Sequence, residues 1–123
     1  MKYERGDIIL VSFPFTDFSK SKVRPALIVS FSDIYPNDVV ITAISSKATQ
    51  NLENTWILVE NTAPYFYKTG LKVRSIIKVE KIALIDPFII QKKIGELPEE
   101  MMRKVNEILC KIWHCSEEFK NQV

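Results

Sequence analysis

The sequence has few of the residues that most often bind metals or form catalytic pairs. It contains one histidine, His114, and two cysteines, Cys110 and Cys115. No Cys/His cluster has the spacing of metal ligands, so we expect neither a metal site nor a cofactor. The cysteines are five residues apart on a predicted helix, and this spacing does not stack them on one face. We therefore expect both thiols to be reduced, as is usual in the cytosol.

Long apolar runs are also absent. No uninterrupted apolar stretch approaches the roughly 20 residues that cross a bilayer, and the N-terminal MKYERGDI has charges but no apolar signal core. We therefore expect a cytoplasmic protein without a membrane span. The sequence shows no repeats, low-complexity tracts or interdomain linkers, so its 123 residues predict a single domain, 1–123.

The sequence also lacks a large excess of charge of one sign. The net charge of +2 is too small to indicate a nucleic-acid-binding protein. Its distribution is more informative, because residues 68–81 contain five cations and a single carboxylate, Glu80. These cations could form a basic face with Lys20, Lys22, Arg24 and Lys47, and a solvated surface of scattered lysines is the alternative.

Short apolar segments separated by turn signals predict five or six strands. The predicted strands cover 8–13, 26–29, 39–44, 55–59 and 75–79, and a further extended or irregular piece covers 83–90. From Glu99 the apolar positions recur with helical spacing, which predicts an amphipathic helix with Pro98 in its first position. The pattern predicts a mainly β (α+β) fold, a small and strongly bent β-barrel with a C-terminal helix.

The segment 6–30, GDIILVSFPFTDFSKSKVRPALIVS, reads as a strand, a polar basic loop and a second strand. Pro14 ends the first strand because proline has no N–H to donate. Arg24 precedes Pro25, which restricts its backbone to extended geometry. An arginine held in this way beside a loop rich in lysine and hydroxyl groups is a plausible phosphate contact. A surface ion pair with Asp7 or Asp17 is the alternative.

The same segment resembles the opening of the MazF/PemK-type toxins of type II toxin–antitoxin systems. VITAISSK at 40–47 is similar to the third strand of that family, VRSIIKVEKIALID at 73–86 to the block that follows, and IGELPEEMMRKVNEIL at 94–109 to the closing helix. The resemblance covers nearly the whole chain in order, and the Arg-Pro strand is its most specific element.

This resemblance implies an SH3-like barrel that forms a homodimer, is neutralised by a cognate antitoxin and cleaves single-stranded RNA, often mRNA, without a metal ion. The catalytic arginine of the family falls on Arg24. Its partner hydroxyl, commonly threonine, falls on Ser45, and serine keeps the hydroxyl. An arginine and an aspartate that take part in some members fall on Lys78 and Glu80.

Metal-free cleavage needs a cation for the phosphorane, a proton acceptor and a proton donor. Arg24 suits the first role because its planar fork can hold two phosphoryl oxygens. Glu80 and Asp17 are the carboxylates best placed by sequence to accept the proton. A salt bridge from Glu80 to Lys78 or Lys81 is the alternative.

Single-stranded RNA binds to aromatic side chains through its bases and to cations through its backbone. The predicted RNA-binding residues lie in the first loop and after the third strand: Phe15, Thr16, Phe18, Lys20, Lys22, Ser46 and Lys47. Core packing is the alternative for the two phenylalanines. At the level of function, the alternative is a non-catalytic barrel that binds a protein or nucleic-acid partner, because small barrels serve many functions.

Overall fold

The computed structural model describes residues 3–12, 23–31, 37–47 and 50–114. These residues form six strands, two α-helices and one 3-10 turn. In chain order the elements are β1 (Asp7–Ser12), β2 (Val23–Ile28), β3 (Val39–Ser45), β4 (Trp56–Val59), α1 (Phe66–Thr69), β5 (Ser75–Ile85), the 3-10 turn (Pro87–Ile89), β6 (Ile90–Glu96) and α2 (Glu99–Trp113).

All six strands belong to one antiparallel sheet with the order β4-β5-β3-β2-β1-β6. The predicted mainly β fold with a C-terminal helix is confirmed. Within the described residues, β4 and β6 are the two edges and do not pair with each other, so the hydrogen-bonded sheet is not closed.

The bend in the sheet comes from a bulge in β5. Thr42 of β3 pairs with Ile82, but the next residue, Ala43, pairs with Lys78. Residues 79–81 are therefore left without a partner on β3, and extra residues on one strand bend it. The sequence prediction ended the fifth strand at 79 because the polar pair at 80 and 81 interrupts the apolar run, whereas the strand continues through the bulge.

Two apolar cores form on opposite faces of the bent sheet. One lies beneath α2 and joins Met101, Met102 and Val105 to residues from five strands and to Leu97. The other contains Ile9, Val11, Ala26, Ile28, Val39, Ile41, Ile85 and Ile90, and Tyr3 packs against it. Among the described residues, this second core is built from strands and Tyr3.

The sequence prediction missed β6. This strand has the sequence IQKKIGE, and residues 91–93 are exposed. Within the described ranges β6 is an edge strand that pairs with β1 alone. It therefore needs no alternation of apolar residues, and charged side chains are typical of such edges. The short helix α1, within the aromatic segment 64–70, was also not predicted.

The predicted C-terminal helix is confirmed as α2. Pro98 is its N-cap, whereas the sequence predicted it as the first helical residue, so the helix begins one residue later, at Glu99. The Pro98 carbonyl accepts hydrogen bonds from the Met101 and Met102 amides. The helix ends at Trp113, because His114 adopts the left-handed conformation with φ 57°. No helix in the described part of the chain is long and apolar enough to span a membrane.

Cys110, in the last turn of α2, is disulfide-bonded. The expectation that both thiols are reduced is therefore wrong. It assumed that the helix continues through both cysteines, whereas the left-handed His114 ends the helix before the second one.

Candidate functional site

A cavity of about 560 Å³ opens where the ladder between β2 and β3 ends. The last hydrogen-bonded pairs of this ladder run from Ile28↔Ile41 to Ala26↔Ala43. Arg24 and Ser45 each lie two residues beyond the last of these pairs, and both residues line the cavity. The structure thus brings together the two residues that sequence reasoning predicted to be catalytic.

Pro25 explains why the ladder ends here. The Val29 amide donates to the Val40 carbonyl of β3 at 2.9 Å, and the Ile28 carbonyl accepts from Gly6 on the other side. Because backbone groups alternate sides along a strand, the amide position of residue 25 also faces β3. Proline has no hydrogen to donate there, so the bond from this position to β3 cannot form and the ladder is weakened at its end.

Arg24 is held by its other neighbour. It lies inside β2, which begins at Val23, and pairs with Val11 of β1. Its backbone is therefore fixed by the sheet, and the half-buried residue lines the cavity. This arrangement agrees with the expectation that the residue before Pro25 is extended and positioned by it.

Ser45 is the last residue of β3. Its Oγ accepts a hydrogen bond from the Lys47 amide at 3.1 Å. The amide uses the oxygen as an acceptor, so the hydroxyl proton remains free to be donated. Ser46 and Lys47 follow it, are exposed and also line the cavity.

Residues 70–73 and β6 form a further wall of the cavity. Gly70 has φ 73°, and a Cβ placed on it would overlap the Ile94 carbonyl. A Cβ on Gly95 would likewise overlap the Thr69 backbone. The end of α1 therefore lies directly on the backbone of β6, which only glycine permits at such close approach.

Thr69 reinforces this wall. Its side chain is fully buried, and its Oγ1 donates to the Phe66 carbonyl at 2.7 Å and accepts from the Leu71 amide at 3.1 Å. These two bonds fix the turn that leaves α1. The segment 71–73 is thereby held beside the cavity.

The cavity is cationic. Four positively charged residues line it, namely Arg24, Lys47, Lys72 and Lys92. None of the described residues that line it carries a carboxylate or an imidazole. A cleft lined by one sign of charge attracts ligands of the opposite sign, and guanidinium and ammonium groups suit phosphate in particular.

Sequence reasoning assigned no role to Lys72 or Lys92. Lys72 was only one of several cations in a candidate basic face, and Lys92 lies on the strand that was not predicted. Of the five cations in 68–81, only Lys72 lines the cavity. Arg74 pairs with Glu60 at 2.9 Å, and the Lys78 ammonium lies 4.7 Å from the centre of the Trp56 ring.

Glu80 and Lys78 do not line the cavity of this chain. Glu80 accepts hydrogen bonds from Thr55 Oγ1 at 2.8 Å and from Trp56 Nε1 at 3.0 Å. Burial raises the pKa of Glu80, but the hydrogen bonds from Trp56 and Thr55 outweigh this effect, and the pKa lies below its ordinary value. A lowered pKa makes the carboxylate a weaker base. The auxiliary role of the pair stays a prediction.

Six of the predicted site residues lie outside the described residues: Phe15, Thr16, Asp17, Phe18, Lys20 and Lys22. Their roles also stay predictions. In the part of the chain that is described, no group of three or more His, Cys, Asp or Glu side chains could hold a metal ion.

Comparison with known families gives one match. The family described as "PemK-like, MazF-like toxin of type II toxin-antitoxin system" matches residues 4–113. This range contains every strand and helix described above. Comparison with curated proteins gives no match.

Solved structures of an endoribonuclease and of two MazF proteins have the same fold. A mycobacterial endoribonuclease in complex with its cognate antitoxin has a TM-score of 0.69 at 19% identity, with 94% of this chain and 98% of that chain covered. Mycobacterium tuberculosis toxin MazF-mt6 has a TM-score of 0.68 at 18% identity, with 88% and 96% covered. MazF from Deinococcus radiodurans, form I, has a TM-score of 0.69 at 14% identity, with 93% and 98% covered. At these identities the likeness establishes the fold.

Proposed function

Because the chain belongs to the PemK-like, MazF-like toxins of type II toxin–antitoxin systems, we propose that it is a metal-independent, sequence-specific endoribonuclease that cleaves single-stranded RNA, with mRNA as the expected class. The observation that supports this most directly is the meeting of Arg24 and Ser45 in one cation-lined cavity. A phosphodiester is the anionic group that such a cavity suits.

The proposed reaction is an internal transfer of the phosphoryl group. The 2′-oxygen forms a bond to the adjacent phosphorus, the bond from phosphorus to the 5′-oxygen breaks, and the products end in a 2′,3′-cyclic phosphate and a 5′-hydroxyl. A proton leaves the 2′-hydroxyl, and another reaches the departing 5′-oxygen.

Arg24 stabilises the negative charge that develops on the phosphorane. Its guanidinium can donate to two non-bridging oxygens at once and stays charged throughout. Ser45 donates its hydroxyl proton to a non-bridging oxygen, since its Oγ already accepts from the Lys47 amide. One preorganised donor of this kind typically contributes about 3 kcal/mol to the transition state.

The proton acceptor is not found among the described residues that line the cavity, since these include no carboxylate and no histidine. Glu80 makes its hydrogen bonds elsewhere. Asp17, which follows β1 in the sequence, stays the proton acceptor predicted from the sequence.

For the partners, we propose a cytoplasmic homodimer that a cognate antitoxin neutralises. One structural neighbour, the mycobacterial endoribonuclease, is in complex with its cognate antitoxin. The cationic cavity supports the same pairing here, because an acidic disordered segment can cover a charged groove and block it.

The test is cleavage of single-stranded RNA by purified protein in the presence of a chelator. Arg24→Ala should lose at least about two orders of magnitude in rate, as expected for the loss of the main phosphate-stabilising group. Arg103→Ala is the matched control, because Arg103 is an exposed arginine of α2 that does not line the cavity. Absence of cleavage by the parent protein, or equal rates for Arg24→Ala and the parent, would contradict the proposal.

A second candidate is a non-catalytic module that binds RNA or a protein. The lack of a carboxylate or imidazole among the described cavity residues favours it. The two functions differ in their products, because only the nuclease yields a 2′,3′-cyclic phosphate. Growth arrest on expression that Arg24→Ala relieves would also support the nuclease.

A further inference from the structure

Two lysines that line the cavity have no role in the chemistry proposed above. Lys92 lies on β6, and Lys72 lies on the turn that follows α1. Both side chains are exposed. They line the cavity together with Arg24 and Ser45, and the close approach of Gly70 to Ile94 joins the two wall segments that carry them.

The charges of these two lysines are not used within the described part of the chain, where neither forms an ion pair. Their neighbours with the same charge do. Arg74 pairs with Glu60 at 2.9 Å, and Lys93 lies 3.2 Å from Asp7 and 3.3 Å from Glu96. Carboxylates thus partner Arg74 and Lys93, which do not line the cavity, whereas Lys72 and Lys92 have no carboxylate partner among the described residues.

The sheet separates this wall from the proposed catalytic pair. β6 lies two strands from β2 in the order β2-β1-β6. At about 4.8 Å for each strand, the backbones of Lys92 and Arg24 are about 10 Å apart. This separation suits contacts with different phosphates of one RNA strand.

We propose that Lys72 and Lys92 bind the backbone phosphates that flank the phosphate held by Arg24. This inference rests on the ribonuclease function proposed above and extends it to residues outside the family's catalytic pair. A lysine ammonium acts as a point charge that holds phosphate without bidentate geometry. Because phosphate contacts do not read bases, the two lysines set affinity and leave the cleavage sequence unchanged.

The binding experiment uses a fluorescein-labelled, random-sequence 20-mer RNA with 2′-O-methyl groups, which lacks the attacking hydroxyl. Its dissociation constant is measured by fluorescence anisotropy between 50 and 300 mM KCl. Each phosphate contact with a single strand contributes about 0.7 to the slope of log K against log salt. We expect Lys72→Ala and Lys92→Ala each to lower the slope by about 0.7, and the double variant by about 1.4.

Three controls separate charge from structure. Lys104→Ala removes the same charge from an exposed position of α2 that does not line the cavity, and it should leave the slope unchanged. Lys72→Arg and Lys92→Arg keep the charge and should keep the slope. The urea midpoint of each variant should match that of the parent, because both side chains are exposed.

The kinetic experiment uses unmodified RNA. We expect the double variant to raise KM at least tenfold with kcat within twofold of the parent and with the same cut sites. Parent-like slope and KM in the double variant would overturn this inference and leave the nuclease proposal intact. A fall in kcat with an unchanged slope would also overturn it, since the lysines would then act on the reacting phosphate. If the parent protein neither binds nor cleaves RNA, both proposals fail.

Discussion

Glu80 accepts the indole N–H of Trp56 at 3.0 Å, which ties the bulge of β5 to the neighbouring strand β4. The same carboxylate accepts from Thr55, and the Lys78 ammonium lies above the Trp56 ring. This cluster stabilises the bend of the sheet. It also uses a carboxylate that sequence reasoning considered for proton transfer.

Replacing Glu80 by Gln should change the acid stability of the fold. The pKa of Glu80 is lowered in the folded protein by its hydrogen bonds. Its contribution to stability is therefore present above the ordinary value of 4.5 and is lost as the pH falls through the folded pKa. We expect Glu80→Gln to lower the free energy of unfolding by only about 1 kcal/mol at pH 7, because the carboxylate is exposed. Below pH 4.5 the variant should lose less further stability than the parent.

Urea unfolding of Glu80→Gln and the parent at pH 3.5, 4.5, 5.5 and 7 measures this difference. If the unfolding free energies of both proteins depend on pH in the same way, the hydrogen bonds described for the Glu80 carboxylate are contradicted. RNA cleavage at pH 7 should stay within threefold of the parent, and a loss of two orders of magnitude would instead assign Glu80 to the reaction.

Lys93 should make the stability of the fold decrease at alkaline pH. Its hydrogen bond to Asp7, which is only 3% exposed, raises the pKa of Lys93 above its ordinary value of 10.5. The stabilisation is therefore complete below that value and is lost as the pH rises through the folded pKa. We expect Lys93→Met to be less stable than the parent at pH 8 and to lose less further stability between pH 9.5 and 11.5. Denaturant unfolding across this range measures the effect, and parallel curves would contradict it.

Gly70→Ala should destabilise the wall of the cavity. The alanine would have to adopt φ 73°, and its Cβ would overlap the Ile94 carbonyl. Gly6→Ala is the matched control, because Gly6 also has a positive φ of 96° but its Cβ would meet nothing closer than 3.7 Å. The left-handed conformation alone costs about 1–2 kcal/mol. We expect Gly70→Ala to cost clearly more than Gly6→Ala in urea unfolding, and equal costs would contradict the close contact.

Ser45→Ala should lower kcat by about two orders of magnitude, because one preorganised hydrogen-bond donor is lost. Ser45→Thr should retain activity within tenfold, since the hydroxyl is kept. Neither change should alter KM by more than threefold. Single-turnover cleavage of a defined RNA measures these values. Full activity of Ser45→Ala would remove this residue from the mechanism.

Sequence patterning predicted the elements whose apolar residues are local and regular. Strands β1 to β4 and helix α2 each bury a continuous apolar stripe, and Arg24 and Ser45 were found through the motif that contains them. β6 and Lys92 could not be predicted in this way, because an edge strand with residues 91–93 exposed has no periodic signal. The wall made by Gly70 and Gly95 depends on contact between distant segments, which no local pattern shows.

Pro25 gives the cavity a property that does not depend on any ligand. The next pair of this ladder would join residue 25 to Ile44 through two backbone bonds, and one of them cannot form because proline has no amide hydrogen. Closure of the opening beside Arg24 would therefore gain at most one of these two bonds. For an anionic ligand that binds in this cavity, less of the binding free energy would be needed to separate β2 from β3.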